Sequence, residues 1–251
     1  MVNTKNKKID VIVEARLSST RLPGKILLSA GGKPLLEHMI ERLNRIKNVS
    51  NVIIATTTNE SDNEIIKLAD KVGVPYYRGS ENDVLGRVVE TAQKFDTDII
   101  VEITSDNPLI DPSLSTKVID KLLELYDTVD YVSNDQMVTL GFNTRAFKTT
   151  LLEKVAKITQ DPVDREHVVN YIVKHATEFR IYNLLADKDE YRKDLRLTMD
   201  HIEDYQVIKA LFDSLYENNK EFTYKDIYSF LDNNDSVRSI NKSIVQRTYK
   251  Y

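Results

Sequence analysis

The sequence predicts an α/β fold in which a mostly parallel β-sheet is covered by helices on both faces. Three observations support this prediction. Short runs of β-branched and aliphatic residues alternate along the chain with longer segments whose apolar residues recur at helical spacing. The short runs are apolar at most positions and do not alternate with polar residues, as is typical of strands in a buried parallel sheet. The chain has 251 residues, of which 41% are hydrophobic, and this is enough to enclose such a sheet.

The first half of the chain shows the alternation most clearly. Ile9–Val13 is a compact β-branched run and predicts the first strand. Apolar residues then recur every three or four positions from Leu35 to Ile46, which predicts a helix with Pro34 in its first turn. The same patterns predict strands at Val52–Ala55, Val74–Tyr77 and Ile99–Ile103, and helices at Glu64–Val72 and Val84–Phe95.

The second half of the chain continues the alternation less regularly. We expect one domain over residues 1–251, with an embellishment in its second half, because no repeat or Pro/Gly-rich linker divides the chain. Asp111 precedes Pro112 and predicts the cap of the next helix. The predicted elements are a helix at 112–126, a strand at 130–133, helices near 150–158, 163–175 and 203–216, and strands near 179–184 and 194–198.

Composition excludes several classes of function. The chain has no cysteine, which rules out a disulfide scaffold, a thiolate zinc site, an iron–sulfur cluster and a cysteine nucleophile. Its net charge of −4 provides no overall positive field, so neither nucleic acid nor a membrane is expected as a partner. No apolar stretch of signal-peptide length follows the N-terminal lysines, and we expect a cytoplasmic protein.

The loop after the first predicted strand is rich in groups that bind phosphate. It carries the cations Arg16, Arg21 and Lys25, three hydroxyl groups and one glycine. Ligands of open parallel sheets bind where strands end, and guanidinium and lysine groups suit phosphate oxygens. A solvated charged loop is an equal interpretation of the composition. Neither G-x-G-x-x-G nor G-x-x-x-x-G-K-[ST] can be written here, which argues against a Rossmann dehydrogenase or a P-loop ATPase.

A longer motif contains this loop. From Glu14 to Lys25 it reads Glu-Ala-Arg-x-x-Ser-x-Arg-Leu-Pro-Gly-Lys. It resembles the signature of the cytidylyltransferases that activate sugars and sugar acids, the family of CMP-ketodeoxyoctonate synthetase and acylneuraminate cytidylyltransferase. The likeness is closest to the branch of spore coat polysaccharide biosynthesis protein F. Motifs of that branch follow in order over residues 9–230, at Arg78–Arg87, Thr104–Asp111, Asp130–Asn134, Asp164–His167 and Leu197–Asp200.

The resemblance implies both a fold and a reaction. The fold is a Rossmann-like nucleotidyltransferase, a three-layer α/β/α sandwich. The reaction is the Mg²⁺-dependent transfer of CMP from CTP to a sugar acid, sugar phosphate or similar anionic acceptor, with release of pyrophosphate, in the biosynthesis of a surface polysaccharide or glycan. A homodimer is expected. Residues of about 9–134 are expected to bind the nucleotide, and those of about 135–251 the acceptor or a second subunit.

The resemblance also assigns residues. Arg16, Arg21 and Lys25 match the positions that hold the triphosphate, and Asp106 and Asp200 match those that bind the metal. Asp106 is counted with the three cations as catalytic. The pattern alone leaves each aspartate open as a loop carboxylate or helix cap. Contacts with the substrates are implied for Ala15, Ser18, Arg78, Ser80, Asp83, Arg87, Asn134, Arg145, Arg165 and His167.

Simpler interpretations remain open for two of these segments. The segment around Ser80 can be an ordinary helix start with Ser80 as its N-cap, and Asp164–His167 can be a solvated first turn. Two positions also depart from the family pattern. Glu14 stands where close relatives have glutamine, and beside nucleotide phosphates it needs Arg16 or another cation as its partner, or a role in positioning the metal or the base. Arg145 stands in a stretch that is acidic in relatives, which suggests an anionic acceptor.

Alternative functions follow from the same residues. Another nucleoside triphosphate could be the donor, or a glycosyltransferase could bind a finished nucleotide sugar on a similar sheet. A protein of another class, a nucleotide-binding protein without catalysis, is the third possibility. Release of pyrophosphate from CTP distinguishes the first interpretation from all of these.

Overall fold

Seven strands form one mixed sheet in the computed structural model, which describes residues 6–246. Two further strands form a small separate hairpin. The strands of the sheet are β1 (Ile9–Glu14), β4 (Asn51–Thr57), β5 (Tyr76–Gly79), β6 (Ile99–Thr104), β7 (Tyr131–Ser133), β8 (Arg145–Lys148) and β9 (Ile181–Asn183), and those of the hairpin are β2 (Ser29–Ala30) and β3 (Lys33–Pro34).

The order of the strands places a crevice beside β1. The sheet runs β5-β4-β1-β6-β8-β7-β9, and all strands except β8 point the same way. The chain moves from β1 outward to β4 and β5, and then returns to place β6 on the other side of β1. Such a reversal of strand order opens a ligand crevice at the carboxyl ends of the two central strands.

Helices cover both faces of the sheet, which confirms the predicted three-layer α/β/α architecture. On one face α1, α2 and α4 pack on Val11 and Val13. On the other face α3, α5 and α7 pack on Ile12. The helices are α1 (Leu35–Leu43), α2 (Asn63–Val72), α3 (Val84–Lys94), α4 (Pro112–Glu124), α5 (Thr149–Ile158), α6 (Pro162–Glu166), α7 (Asn170–Lys174), α8 (Ile202–Leu215), α9 (Tyr224–Asn233) and α10 (Asp235–Arg238).

The C-terminal helices form a third core beside the sheet. Residues of α8 and α9 pack there with Leu109 from the segment after β6 and with Leu197 and Met199 from the segment before α8. This third core holds the residues around Asp200 close to the end of β6. No helix among the described residues is long and apolar enough to cross a membrane.

The structure corrects several predicted elements. The predicted helix at 163–175 is two short helices, because the backbone becomes extended at His167. Val168 and Val169 between the helices and Ile172 in α7 are buried in the core, whereas α6 buries no apolar side chain. The predicted strand at 194–198 is only an isolated bridge between Arg196 and Leu140. Pro34 precedes α1 instead of lying in its first turn. The sequence did not predict β8, α9 or α10.

Candidate active site

The loop of residues 15–25 leaves the carboxyl end of β1, where the order of the strands predicts a crevice. The Leu17 backbone N–H donates to Asp62 Oδ1 at 2.8 Å, and the Gly24 N–H donates to the Leu17 carbonyl at 3.0 Å. Gly24 has φ = 67°, a conformation that glycine adopts without strain. These bonds fold the loop back on itself, so that Lys25 lies beside Asp106 in the segment that follows β6.

Lys25 brings the two predicted metal-binding aspartates together. Its Nζ lies 3.1 Å from Asp200 Oδ1 and 3.6 Å from Asp106 Oδ2, and it donates to the Met199 carbonyl at 2.6 Å. Arg21 Nη2 donates to the same Asp200 oxygen at 2.8 Å. Two carboxylates that are 94 positions apart in the chain therefore share one lysine at the edge of the sheet.

Backbone contacts hold Asp200 in this position. The Met199 N–H donates to the Asp106 carbonyl at 2.8 Å, which ties the segment before α8 to the segment after β6. Asp204, in the first turn of α8, accepts the N–H groups of Asp200 and His201 at 3.0 Å each. This carboxylate fixes the start of α8 and with it the direction of the Asp200 side chain.

The surrounding cations keep Asp200 ionised. Burial alone disfavours the charged form, but Lys25, Arg21 and Arg196 together lower the pKa of Asp200 below its ordinary value. Arg196 Nη2 donates to the second Asp200 oxygen at 3.1 Å. The carboxylate is therefore available as an anionic ligand across the physiological pH range.

These two carboxylates suit a magnesium ion that arrives with a nucleotide. In the part of the chain that the structure describes, no group of three or more His, Cys, Asp or Glu side chains is placed to hold a metal. Mg²⁺ is commonly held by one or two carboxylates, with phosphate oxygens and waters completing its coordination. Asp106 and Asp200 provide that partial set, and Lys25 lies between them.

Arg16, the third cation of the loop, is oriented differently. Its guanidinium lies 3.9 Å from Glu81 and 3.6 Å from Glu166, and Ser18 also donates to Glu81. Arg16 thus connects the loop to the segment before α3 and to the end of α6. It does not join Arg21 and Lys25 at Asp200.

A cavity of about 660 Å³ adjoins the aspartates. Asp106 and Asp200 belong to its lining, as do His167 and Val168 from the segment between α6 and α7. The ends of β1, β6 and β8 contribute charged side chains to it, and β7 contributes Tyr131. Its size and mixed polar and apolar lining suit a small polar ligand.

The strand register explains why two carboxyl groups meet in this cavity. Glu14 is the Cα partner of Thr104, and Ile12 is the partner of Glu102. Residues two apart on a strand share a face, so Glu14 and Glu102 are diagonal neighbours on the face that carries Ile12. Burial raises the pKa of Glu14 well above its ordinary value, and the adjacent Glu102 carboxyl adds to the rise against the attraction of Arg87 and Arg145.

Arg145 lines the cavity with its charge already matched. Its Nη1 donates to both Glu102 oxygens at 3.1 and 3.2 Å, and its Nε donates to Asp135 at 2.6 Å. Arg145 is therefore not a free cation. Its presence alone does not support the predicted anionic acceptor. Glu14 likewise meets Glu102, Arg87 and Arg145 instead of Arg16.

Several other predicted site residues use their polar groups within the protein. Arg78 donates to the Thr57 carbonyl at 2.8 Å, to the Asn59 carbonyl at 2.8 Å and to Asn63 at 2.9 Å. These three bonds fix the segment between β4 and α2. The guanidinium thus points toward that segment and away from the cavity.

The segment before α3 is also held internally. Asp83, and not Ser80, caps α3, since Asp83 accepts the Gly86 N–H at 2.8 Å and Ser80 Oγ accepts the Asp83 N–H at 3.1 Å. Arg165 donates to Asp83, which joins α6 to this cap, and buried Arg87 donates to the Ser80 carbonyl.

Asn134 and Ala15 have structural partners as well. Asn134 Oδ1 accepts the Thr144 N–H at 2.8 Å, and its Nδ2 donates to the Phe142 carbonyl at 3.1 Å. The Ala15 N–H donates to the Ala55 carbonyl at 3.2 Å, which extends the pairing of β1 with β4. Both residues therefore shape the backbone around the crevice.

The sequence analysis did not identify some residues of the site. Glu102 lies within the apolar run that predicted β6. A carboxyl group in a buried strand is unusual, and this could have identified Glu102 as a candidate site residue. Tyr131 was included only in a strand prediction. Asp135 and Arg196 carried no local signal, because their roles depend on contacts with distant elements.

Comparison with known proteins shows that the sequence is similar to cytidylyltransferases. The family model of the cytidylyltransferases matches residues 11–232. An uncharacterized protein of Methanocaldococcus jannaschii is 35% identical over 246 residues, covering 97% of this chain and 98% of its own length. The spore coat polysaccharide biosynthesis protein SpsF of Bacillus subtilis is 33% identical over 206 residues, covering 80% of this chain and 85% of its own length.

Solved structures show the same likeness. A cytidylyltransferase from Leptospira borgpetersenii superposes with a TM-score of 0.88 at 33% identity, over 96% of this chain and all of that one. A CMP:2-keto-3-deoxy-manno-octonic acid synthetase complexed with CTP superposes with a TM-score of 0.63 over 82% of this chain and 98% of its own. At 17% identity, this second likeness concerns the fold.

Proposed function

The chain belongs to the cytidylyltransferase family, and from this premise we propose that it transfers CMP from CTP to a hydroxyl group of an anionic, sugar-like acceptor. Mg²⁺ is the proposed cofactor, and pyrophosphate is the proposed leaving group. The observation that supports this most directly is the position of Lys25 between Asp106 and Asp200 at the end of β6, with Arg21 on the same carboxylate.

Charge stabilisation is the main task of the chain's own residues in this reaction. The oxygen of the acceptor hydroxyl group forms a bond to the α-phosphorus of CTP and loses its proton to solvent, while the bond from that phosphorus to the oxygen bridging to the β-phosphate breaks. Arg21 and Lys25 bind phosphate oxygens and stabilise the negative charge that develops on the leaving pyrophosphate. Arg16, at the other end of the loop, is released from Glu81 and Glu166 when phosphate offers a stronger partner.

Asp106 and Asp200 would hold the magnesium ion, because both are oxygen ligands within reach of one point, now marked by Lys25 Nζ. When bound, the ion neutralises phosphate charge and polarises the reacting phosphorus centre. Asp200 enters the reaction already ionised. Its backbone links to Asp106 keep the two carboxylates together.

The acceptor is proposed to occupy the cavity of about 660 Å³ next to these aspartates. The division of the chain into a nucleotide-binding half, about 9–134, and an acceptor half, about 135–251, stays a prediction, and both halves line this cavity. A sugar acid, a sugar phosphate or a similar anion is the proposed acceptor class, in the biosynthesis of a polysaccharide. The homodimer and the cytoplasmic location stay predictions.

The reaction is tested by incubating the protein with each of the four nucleoside triphosphates, Mg²⁺ and a pool of sugar acids and sugar phosphates, with pyrophosphate as the readout. We expect release with CTP only. An Arg21→Gln variant should lose most of this activity, whereas Lys33→Met, which alters a lysine paired with Glu41 away from the cavity, serves as the control. A signal with CTP no larger than with the other triphosphates contradicts the proposal.

The same assay separates the alternative functions. A glycosyltransferase would consume a nucleotide sugar and release no pyrophosphate. A binding protein without catalysis would retain CTP in equilibrium dialysis and release no pyrophosphate with any acceptor.

A further inference from the structure

The C-terminal segment, residues 239–246, lies against the start of α8. It lies beyond residues 11–232, the part of the chain that matches the family model. Asn241 of this segment is buried, and its Nδ2 donates to the Arg196 carbonyl and to Asp204 Oδ1 at 2.9 Å each. One side chain of the C-terminal segment therefore joins the residues before α8 to the first turn of that helix.

Arg196 is held in place by this arrangement. Its Nε and Nη2 donate to the two oxygens of Asp204 at 2.9 and 3.2 Å, a paired geometry that arginine provides and lysine does not. Its Nη1 donates to Gln246 Oε1 in the C-terminal segment. All three guanidinium nitrogens are thus in use, and only 9% of the side chain is exposed.

The two oxygens of Asp200 have different kinds of partner. Arg196 Nη2 donates to Oδ2 at 3.1 Å. Arg21 and Lys25 donate to Oδ1 at 2.8 and 3.1 Å. These two cations belong to the loop after β1, and under the proposed function they turn to the phosphate groups of CTP. Arg196 is enclosed and stays, so Oδ2 keeps its partner while Oδ1 becomes available to a cation.

We propose that Arg196 is a positioning residue for Asp200 and that the C-terminal segment, through Asn241, contributes to the active site. By holding Oδ2, Arg196 directs Oδ1 toward the point between Asp106 and Asp200 that Lys25 Nζ now marks. This inference rests on the proposed function and adds to it a residue outside the cation loop. Replacing a residue that orients a metal ligand typically weakens metal binding by about 10–100-fold.

The test measures how strongly Mg²⁺ enhances the binding of CTP. Equilibrium dialysis without an acceptor gives the dissociation constant of radiolabelled CTP in EDTA and again in Mg²⁺, and the ratio of the two is the enhancement. Arg196→Lys keeps the positive charge but loses the planar fork of donors. We expect the enhancement to fall by about tenfold, while the dissociation constant in EDTA stays close to the wild-type value.

Arg192→Lys is the matched control. Arg192 also donates to two carboxylates, those of Asp194 and Asp232, and neither is a proposed metal ligand. Scanning calorimetry should show a lower Tm for both variants, whereas the enhancement should change only in Arg196→Lys. Equal enhancement in the two variants would show that Arg196 is merely structural and would overturn the inference.

Arg196→Met separates orientation from charge. If Arg196 acted only through its charge, its removal would strengthen Mg²⁺ binding, because a neighbouring cation repels the metal ion. We expect the enhancement to fall in this variant as well, and a rise would overturn the inference.

A further variant keeps Arg196 itself. If the Arg196 variants do not fold, Asn241→Ala removes the two bonds that link Arg196 and Asp204 to the C-terminal segment, and it should lower the enhancement in the same direction. A wild-type enhancement in the folded variants would overturn the inference while the proposed function stands. If Mg²⁺ does not enhance CTP binding to the wild-type protein, the proposed function fails and the inference with it.

Discussion

Replacing Lys25 with methionine removes the positive charge between Asp106 and Asp200 while keeping a side chain of similar length. The ammonium group lies 3.1 Å from one carboxylate and 3.6 Å from the other, and only 11% of the side chain is exposed. In the substituted protein the two carboxylates face each other without this cation. Arg21 and Arg196 still contact Asp200, so Asp106 is the carboxylate that loses more of its compensating positive charge.

The magnitude follows from these distances. At an effective dielectric constant of ~20, each of the two charge pairs contributes about 5 kcal/mol of gross attraction. The desolvation of a mostly buried lysine offsets most of this, and hydrogen bonds to charged groups leave a net stabilisation of about 2 kcal/mol. We therefore expect Lys25→Met to lower the free energy of unfolding by about 2 kcal/mol, and Tm by roughly 4–8 °C for a chain of this size.

Magnesium should reverse part of this loss. Lys25 competes with a cation for the two carboxylates, so its removal should let Mg²⁺ bind without nucleotide. A dissociation constant of ~1 mM would give about 1.4 kcal/mol of stabilisation at ~10 mM Mg²⁺. Thermal unfolding monitored by circular dichroism, with and without Mg²⁺ at matched ionic strength, measures the effect, and the Tm of the variant should rise more than that of the wild type.

The control for this experiment is Lys33→Met. Lys33 is similarly enclosed and paired with Glu41, but it lies away from the two aspartates. Its replacement should reduce stability without creating a response to Mg²⁺. If Mg²⁺ raises the Tm of Lys25→Met no more than that of the wild type, Lys25 does not occupy the cation position and the reasoning fails.

Three further predictions concern stability. Burial lowers the pKa of His38 to about 4, below its ordinary value of 6.5, so the unfolded chain takes up a proton first as the pH falls. The free energy of unfolding should therefore decrease by about 3 kcal/mol between pH 6.5 and pH 4. Urea titrations of the His38→Gln variant should lack this decrease. Gly86→Ala should destabilise the protein by about 1–2 kcal/mol, because the added Cβ would lie 2.3 Å from Asp83 Oδ2 and displace the cap of α3. This loss should outweigh the higher helix propensity of alanine. A higher Tm of the variant in calorimetry would refute the prediction. Gly141→Ala should cost at least about 2 kcal/mol, since φ is 113° and the new Cβ would lie 2.5 Å from the Leu197 carbonyl carbon; unchanged denaturant midpoints would contradict it.

Local sequence patterns were sufficient to predict most of the fold of residues 9–134. The strands β1, β4 and β6 carry buried apolar residues on both faces, and helices cover both faces as predicted. The loop cations and Asp106 follow strand ends, so the topology alone places them at one edge of the sheet. The family resemblance added Asp200, which no periodicity indicates.

Tertiary contacts decided the rest. β8 has only four residues and becomes a strand because β6 and β7 supply its hydrogen-bond partners on both sides. Val168 and Val169 fit the helical pattern of the sequence, but they lie in the short segment between α6 and α7, where both are buried in the core. The balance of charges in the cavity depends on Glu102, Asp135 and Arg145 meeting across three segments, and pairing over such distances leaves no trace in a single sequence.

The reversed direction of β8 has a consequence for how this molecule can diversify. Because β8 runs against its neighbours, the strand begins at the ligand-binding edge, and the connection of residues 134–144 that leads into it lies there too. Insertions or deletions in that connection would reshape the cavity beside the two aspartates, while the loop of residues 15–25 after β1 would keep its geometry. The part of the cavity wall that this connection forms can therefore vary in length and sequence independently of the loop that carries Arg16, Arg21 and Lys25.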